Sequence, residues 1–128
     1  MAVEREIFDA PAAPAAVGPY SHAVASAGLL FCSGQIPLDP ATGELVGDTP
    51  AEQARRCLEN LDAVCAAAGA TLQDAVRITI YMTDLVAFGE VNEVYATFFP
   101  SDPPARAAVG VAQLPKGAQV EIDAVVAL

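Results

Sequence analysis

The segment that most constrains this chain is Thr49-Pro50-Ala51-Glu52 and the apolar stripe behind it. Thr49 is an N-cap residue. Pro50 takes the first helical position, where its missing N–H costs nothing, and Glu52 completes a capping box. Ala54, Cys57, Leu58, Leu61, Val64, Cys65 and Ala68 then recur at helical spacing, and Gly69 suits the position just past the helix end. That face needs cover, and the flanking segments supply it by changing period. Ala23 to Ala27 and Leu29 to Ser33 read as two short strands turning at Gly28. Val76, Ile78, Ile80 and Met82 alternate with Arg77, Thr79 and Tyr81, a strand with one apolar face. Thr83 or Asp84 can cap a second helix whose buried face is Phe88, Val91, Tyr95 and Phe98, and Pro100 stops it. Arg106 to Ala112 is a strand of small residues with Ala107, Val109 and Val111 on one face and Arg106, Ala108 and Gly110 on the other. Val120 to Val126 is the last strand, with Glu121 and Asp123 facing away from Val120, Ile122 and Ala124. Strands, helix, strand, helix, strands predicts one α+β domain over residues 1–128, with two helices packed on one face of a mixed sheet.

Composition narrows the function classes. The chain is 54% hydrophobic and 17% charged, against roughly 25% charged in an ordinary soluble domain. Its mean hydropathy is +0.41. So few charges predict that part of the surface is hidden in an oligomer. The net charge of −10, with six Lys and Arg, disfavours a nucleic-acid partner, because a phosphate backbone needs basic neutralisation. Met1 to Ala10 has no apolar signal core, and no run approaches the ~18 apolar residues of a membrane span. Three cysteines, far apart and without metal-ligand spacing, read as reduced buried thiols, and the single His22 supports no metal site. The compartment expected from this cysteine usage is the cytoplasm.

Three loops separate the elements: Ala10 to Val17, rich in Pro and Ala; Pro37 to Gly47, rich in turn residues; and Ser101 to Pro104, stiffened by prolines. The chain has no Ser-His-Asp set, no G-x-S-x-G, no P-loop, no G-x-G-x-x-G and no Cys with an evident His partner. What remains is Arg106, Glu121 and the hydroxyls of Tyr20 and Ser33. An arginine among Ala, Val and Gly leaves room for a ligand, and its planar fork matches a carboxylate. On this reading the chain holds a small carboxylic acid beside Glu121. The alternative is an ion pair with Glu121 or Asp123 on the next strand. Glu121 reads as a general base or as a solvated edge-strand acid. Tyr20 follows Gly18-Pro19, which fixes its backbone and aims or packs its ring. Ser33 and Gly34 end a strand, where an N–H or hydroxyl faces a ligand or serves the turn. Asn92 reads as a surface residue of the second helix, and His22 as a half-buried strand residue with no role. Arg106 is the only cation placed at the site, since Lys116 sits in a loop and Arg77 on another strand.

The ordered set of short motifs is more specific than any one of them. It comprises Gly18-Pro19-Tyr20-Ser21, Cys32-Ser33-Gly34-Gln35-Ile36-Pro37, Thr83-Asp84-Leu85, Val91-Asn92-Glu93-Val94-Tyr95, Pro104-Ala105-Arg106, Leu114-Pro115-Lys116 and Glu121-Ile122. With this set the chain resembles the Rid family, also called YjgF/YER/UK, and most closely its RidA branch. The resemblance implies a chorismate-mutase-like α+β fold, a homotrimer and ligand clefts between subunits. It implies hydrolysis of reactive enamines and imines such as 2-aminoacrylate to 2-oxo acids and ammonia, with no cofactor. Residue by residue, it implies that Arg106 binds the substrate carboxylate and Glu121 positions the attacking water. Tyr20, Ser33, Gly34 and Asn92 match other cleft positions, some from the neighbouring subunit. Ala108 stands where RidA proteins usually carry cysteine, so only its backbone N–H is available to a carboxylate, and the Phe99 to Arg106 loop is short. Family members with other roles define the alternatives: a dedicated deaminase of one pathway intermediate, RutC-like or 2-aminomuconate deaminase-like, or a non-catalytic binding or chaperone-like protein. Older family labels include endoribonuclease and translation inhibitor.

Overall fold

A computed structural model describes residues 4–128. Six strands form one sheet: β1 (Glu6–Phe8), β2 (Ala23–Ser26), β3 (Leu29–Gln35), β4 (Ala75–Met82), β5 (Ala105–Gly110) and β6 (Val120–Ala127). Helix α1 (Pro50–Ala67) precedes β4, and α2 (Phe88–Phe98) links β4 to β5. The sheet order is β1-β2-β3-β6-β4-β5, with β4 and β5 parallel and every other pair antiparallel. The fold class is the one expected. Its first strand was not: Glu6–Phe8 is short and mixed in character, and only its pairing with Ala23–Ala25 makes it a strand.

Helix α1 starts as its capping residues dictate. The Thr49 side chain accepts the Glu52 N–H at 3.2 Å, and Glu52 reaches back to the Asp48 N–H at 3.0 Å. Its stripe of Cys57, Leu58, Leu61, Val64 and Cys65 is fully buried against Leu30, Ile78, Ile80, Ile122 and Val126 of the sheet. Asp84 caps a single 3-10 turn (Leu85–Ala87), and α2 begins only at Phe88. Asn60, 1% exposed on α1, donates to the carbonyls of Leu38 at 3.0 Å and Ile36 at 3.4 Å, tying the long loop after β3 to the core. Asn60→Ala removes the Leu38 carbonyl's side-chain donor, while Ile36 O keeps the Leu38 N–H at 2.8 Å; the change is expected to cost about 1–3 kcal/mol, read as a lower midpoint in urea unfolding with unchanged slope.

Both helices lie on one face of the sheet. The opposite face carries a row running from Ile7 through Val24 and Phe31 to Val125 and Arg77. Ile7 is 47% and Phe31 48% exposed. The sheet order also corrects two expectations. Of the two readings of Glu121, general base or solvated edge-strand acid, the edge position is ruled out: β6 lies between β3 and β4 near the centre, and β1 and β5 are the edges. The strand beside Arg106 is β4, not the one that carries Glu121 and Asp123.

Candidate functional site

Strand register decides which of the singled-out residues meet. Arg106 lies beside Ile78, whose side chain is buried under the helices, whereas Glu121 lies beside Tyr81. Ile78 and Tyr81 are three residues apart on β4, so they face opposite sides of the sheet. Arg106 and Glu121 of one chain therefore lie on opposite faces. The sequence reading that set a carboxylate between Arg106 and Glu121 does not hold within one chain. The alternative of an ion pair with Glu121 or Asp123 fails for the same reason. The only ion pair among the described residues is Arg56–Glu59, at 3.7 Å.

Arg106 is held by α2. Its Nη1 donates to Asn92 Oδ1 at 2.7 Å, and its guanidinium carbon lies 4.7 Å from the Tyr95 ring centre and 5.2 Å from that of Phe88. Phe88, Asn92 and Tyr95 follow one another at helical spacing along one stripe of α2. Two aromatic faces and one amide fix the plane of the fork, while its remaining N–H donors have no partner among the described residues. Asn92 is exposed, as expected of a surface residue, yet its side chain is committed to Arg106. Tyr95, a core residue by sequence, is 5% exposed, and its buried hydroxyl has no hydrogen-bond partner among the described residues. Burial pushes the Tyr95 phenol up, and the Arg106 charge opposes that shift. Arg106, Asn92, Tyr95 and the Pro103-Pro104 loop line a cavity of about 390 Å³. The Val111 N–H donates to Met82 O at 2.9 Å. Alternation along an extended strand turns the Ala108 N–H the other way, toward the open sheet edge.

Glu121 belongs to a second cavity, of about 470 Å³, shared with Tyr20, Ser33, Gly34 and Lys116. Between Cys32 and Gln35 strand β3 spends one residue more than β6 opposite it, a bulge that places Ser33 and Gly34 against Glu121. A Cβ on Gly34 would overlap Glu121 Oε2 and lie 3.1 Å from its Cδ, so glycine is what leaves space for the carboxylate. The Ser33 hydroxyl donates to Ser21 O at 2.6 Å, and its N–H to His22 O at 2.9 Å. Gly18, at φ 130°, and a Tyr20 N–H bond to Gly18 O at 2.9 Å set the Tyr20 ring at the cavity mouth, half exposed. Burial, and then the neighbouring Asp123 charge, hold the Glu121 carboxyl above its ordinary value. Asp123 itself accepts from the Tyr81 hydroxyl at 3.1 Å.

Two readings are corrected here. Lys116, by sequence a loop residue outside the site, lines the cavity of Glu121. His22 is not half-buried but 5% exposed, and it lies just ahead of β2. Its Nδ1 accepts the Ala10 N–H at 2.8 Å and its Nε2 lies 2.7 Å from Pro14 O, which fixes the neutral Nε2–H tautomer and staples the N-terminal loop beside the cavity. The three thiols are free and buried, as read, and burial pushes that of Cys57 well up. Gly34→Ala is expected to displace the Glu121 carboxylate without harming the fold. The check is a crystal structure of the variant, in which Glu121 takes another rotamer.

The whole architecture recurs in known proteins. The Ribonuc_L-PSP family profile, Endoribonuclease L-PSP, matches residues 10–128. A RutC family protein, y4sK of Sinorhizobium fredii, is 53% identical over 116 residues, covering 91% of this chain and 92% of that protein. A 2-iminobutanoate/2-iminopropanoate deaminase of Homo sapiens is 43% identical over 121 residues, covering 94% and 88%. The crystal structure of E. coli TdcF with bound serine superposes with a TM-score of 0.90 at 40% identity, covering 96% of this chain and 98% of that one. With the six-stranded sheet, its two helices and these matches, the chain belongs to the YjgF/Rid family.

Proposed function

We propose that the protein hydrolyses 2-imino acids, and the enamines that tautomerise to them, to 2-oxo acids and ammonia in clefts between the subunits of a homotrimer. The observation that carries this reading is the division of one chain into two incomplete halves. One presents a guanidinium whose other donors are uncommitted among the described residues, the other a carboxylate in a cavity, on opposite sides of the sheet. A ring of subunits brings the Arg106 half of one chain to the Glu121 half of the next, and it covers the open sheet face. The name of the human relative supports the imine substrate, and the serine bound to TdcF supports a small amino-acid-like ligand.

The chemistry asks little of the protein. Arg106 takes the substrate carboxylate in its planar fork, assisted by the outward N–H of Ala108. The protonated imine carbon is already electrophilic. Glu121, as carboxylate, accepts a proton from water while the water oxygen bonds to that carbon. The carbinolamine that forms transfers a proton to nitrogen, the C–N bond breaks, ammonia leaves and the carbonyl closes. Tyr20 and Ser33 border the space where the substrate lies, and no covalent nucleophile takes part. Orienting the reactants and placing a water account for the acceleration. The acidic chain with no basic stripe speaks against RNA cleavage.

In sedimentation equilibrium at micromolar concentration the particle is expected to have three times the 13.1 kDa protomer mass. A monomer would leave both half-sites incomplete and overturn the proposal. The activity test generates 2-aminoacrylate with a pyridoxal-phosphate-dependent dehydratase and follows its decay. Faster decay with the protein present is expected, and an unchanged rate would contradict the reading.

A further inference from the structure

We propose that Lys116 reads the far end of the substrate, so that this cleft takes imino acids whose side chain ends in a second carboxylate. The inference rests on the deaminase reading above and names its substrate class. Its first support is position: Lys116 lines the cavity that holds Glu121 and Tyr20. Its second is backbone conformation. Lys116 sits at φ 57° and ψ 20°, in the left-handed region that a side chain disfavours and glycine adopts freely. A lysine kept where glycine would be unstrained points to use of its side chain.

The third support is an uncommitted charge. Among the described residues Lys116 makes no ion pair, and its ammonium has one hydrogen bond, a long one of 3.4 Å to Gly43 O in the loop after β3. The cavity wall also includes Ile36, Leu38 and Pro115, which are apolar. A short methylene chain suits such a wall, and an anionic end suits Lys116. A substrate with one carboxylate satisfies Arg106 of the neighbouring subunit and leaves Lys116 unused. A substrate with two satisfies both cations.

Calorimetric titration of the whole protein with 2-oxobutanoate and with 2-oxoglutarate, the stable products of one-carboxylate and two-carboxylate imines, gives a ratio of affinities. The parent is expected to prefer 2-oxoglutarate. Lys116→Met is expected to cut that preference about tenfold or more, the loss of one charge-assisted bond. Lys116→Arg should keep most of it. Lys116→Gly, which also relieves the left-handed backbone, should lose the preference with its cooperative melting transition retained, which separates ligand reading from folding. A Lys116→Met ratio within about twofold of the parent's, or a parent that binds 2-oxobutanoate and not 2-oxoglutarate, overturns the inference and leaves the deaminase reading standing. A parent that binds neither and hydrolyses no imine overturns that reading, and this inference with it.

Discussion

Arg106→Ala is expected to abolish calorimetric binding of 2-oxobutanoate and to lower kcat/KM on 2-imino acids by about 10²-fold or more, with the oligomer intact. A charge-assisted hydrogen bond contributes about 1.5–3 kcal/mol, and a two-bond clamp on so small a ligand supplies most of its affinity. The guanidinium is free for this task because Asn92 takes only Nη1 and the rings of Tyr95 and Phe88 hold its plane. Arg106→Lys should rescue poorly. An ammonium keeps the charge, but it cannot donate two parallel bonds or use the stacking platform as the fork does. Binding and turnover like the parent's in Arg106→Ala would contradict the assignment.

Glu121→Gln should act on a different quantity. Glutamine keeps the shape, loses the proton acceptor and is expected to lower kcat by about 10²–10⁴-fold while 2-oxo acids still bind. Because burial and Asp123 raise the Glu121 carboxyl above its ordinary value, the acid limb of the parent's kcat/KM profile should fall through that raised value. The sign for stability is opposite. A carboxyl that holds its proton more tightly in the folded state stabilises the fold at low pH, and that stabilisation is lost as pH rises through the folded value. Glu121→Gln should therefore melt higher than the parent at neutral pH and level with it in acid. Equal melting at both pH values, together with lost ligand binding, would show Glu121 to be a binding partner rather than a base.

Local chemistry made the fold legible. The Thr49 to Glu52 cap, the stripe through Cys65 and the alternation in β4 each specify their element within a few residues; the helix formed as read, while in β4 Ile78, Ile80 and Met82 face inward but a register shift between Ala75 and Arg77 leaves Val76 44% exposed and buries Ala75 in its place. The site was legible only as a set of residue types. Alternation told which neighbours of Arg106 share its face, but which strand lies beside β5 is a long-range choice. That choice put Arg106 and Glu121 on opposite sides. Phe88 and Tyr95 were visible as an apolar face, with nothing in the sequence to show that an arginine from β5 would lie against it. Spacing offered one missed clue, since Asn92 completes the stripe of Phe88 and Tyr95. Lys116 was visible only as part of the Leu114-Pro115-Lys116 motif, with nothing to put it beside Glu121, because its place depends on a left-handed turn between β5 and β6.

Subunit mixing tests the central claim, a cleft built from the Arg106 half of one chain and the Glu121 half of another. Arg106→Ala and Glu121→Gln proteins, each inactive alone, are unfolded, mixed in equal amounts and refolded together, with mass spectrometry of the intact oligomer confirming mixed particles. In a mixed particle some clefts join the Arg106 of a Glu121→Gln chain to the Glu121 of an Arg106→Ala chain. Activity should then return to about a quarter of the parent's, the chance of that pairing in a random ring. If mixed oligomers form and activity stays at the level of the separate variants, the two residues do not act together across a subunit boundary, and the account fails.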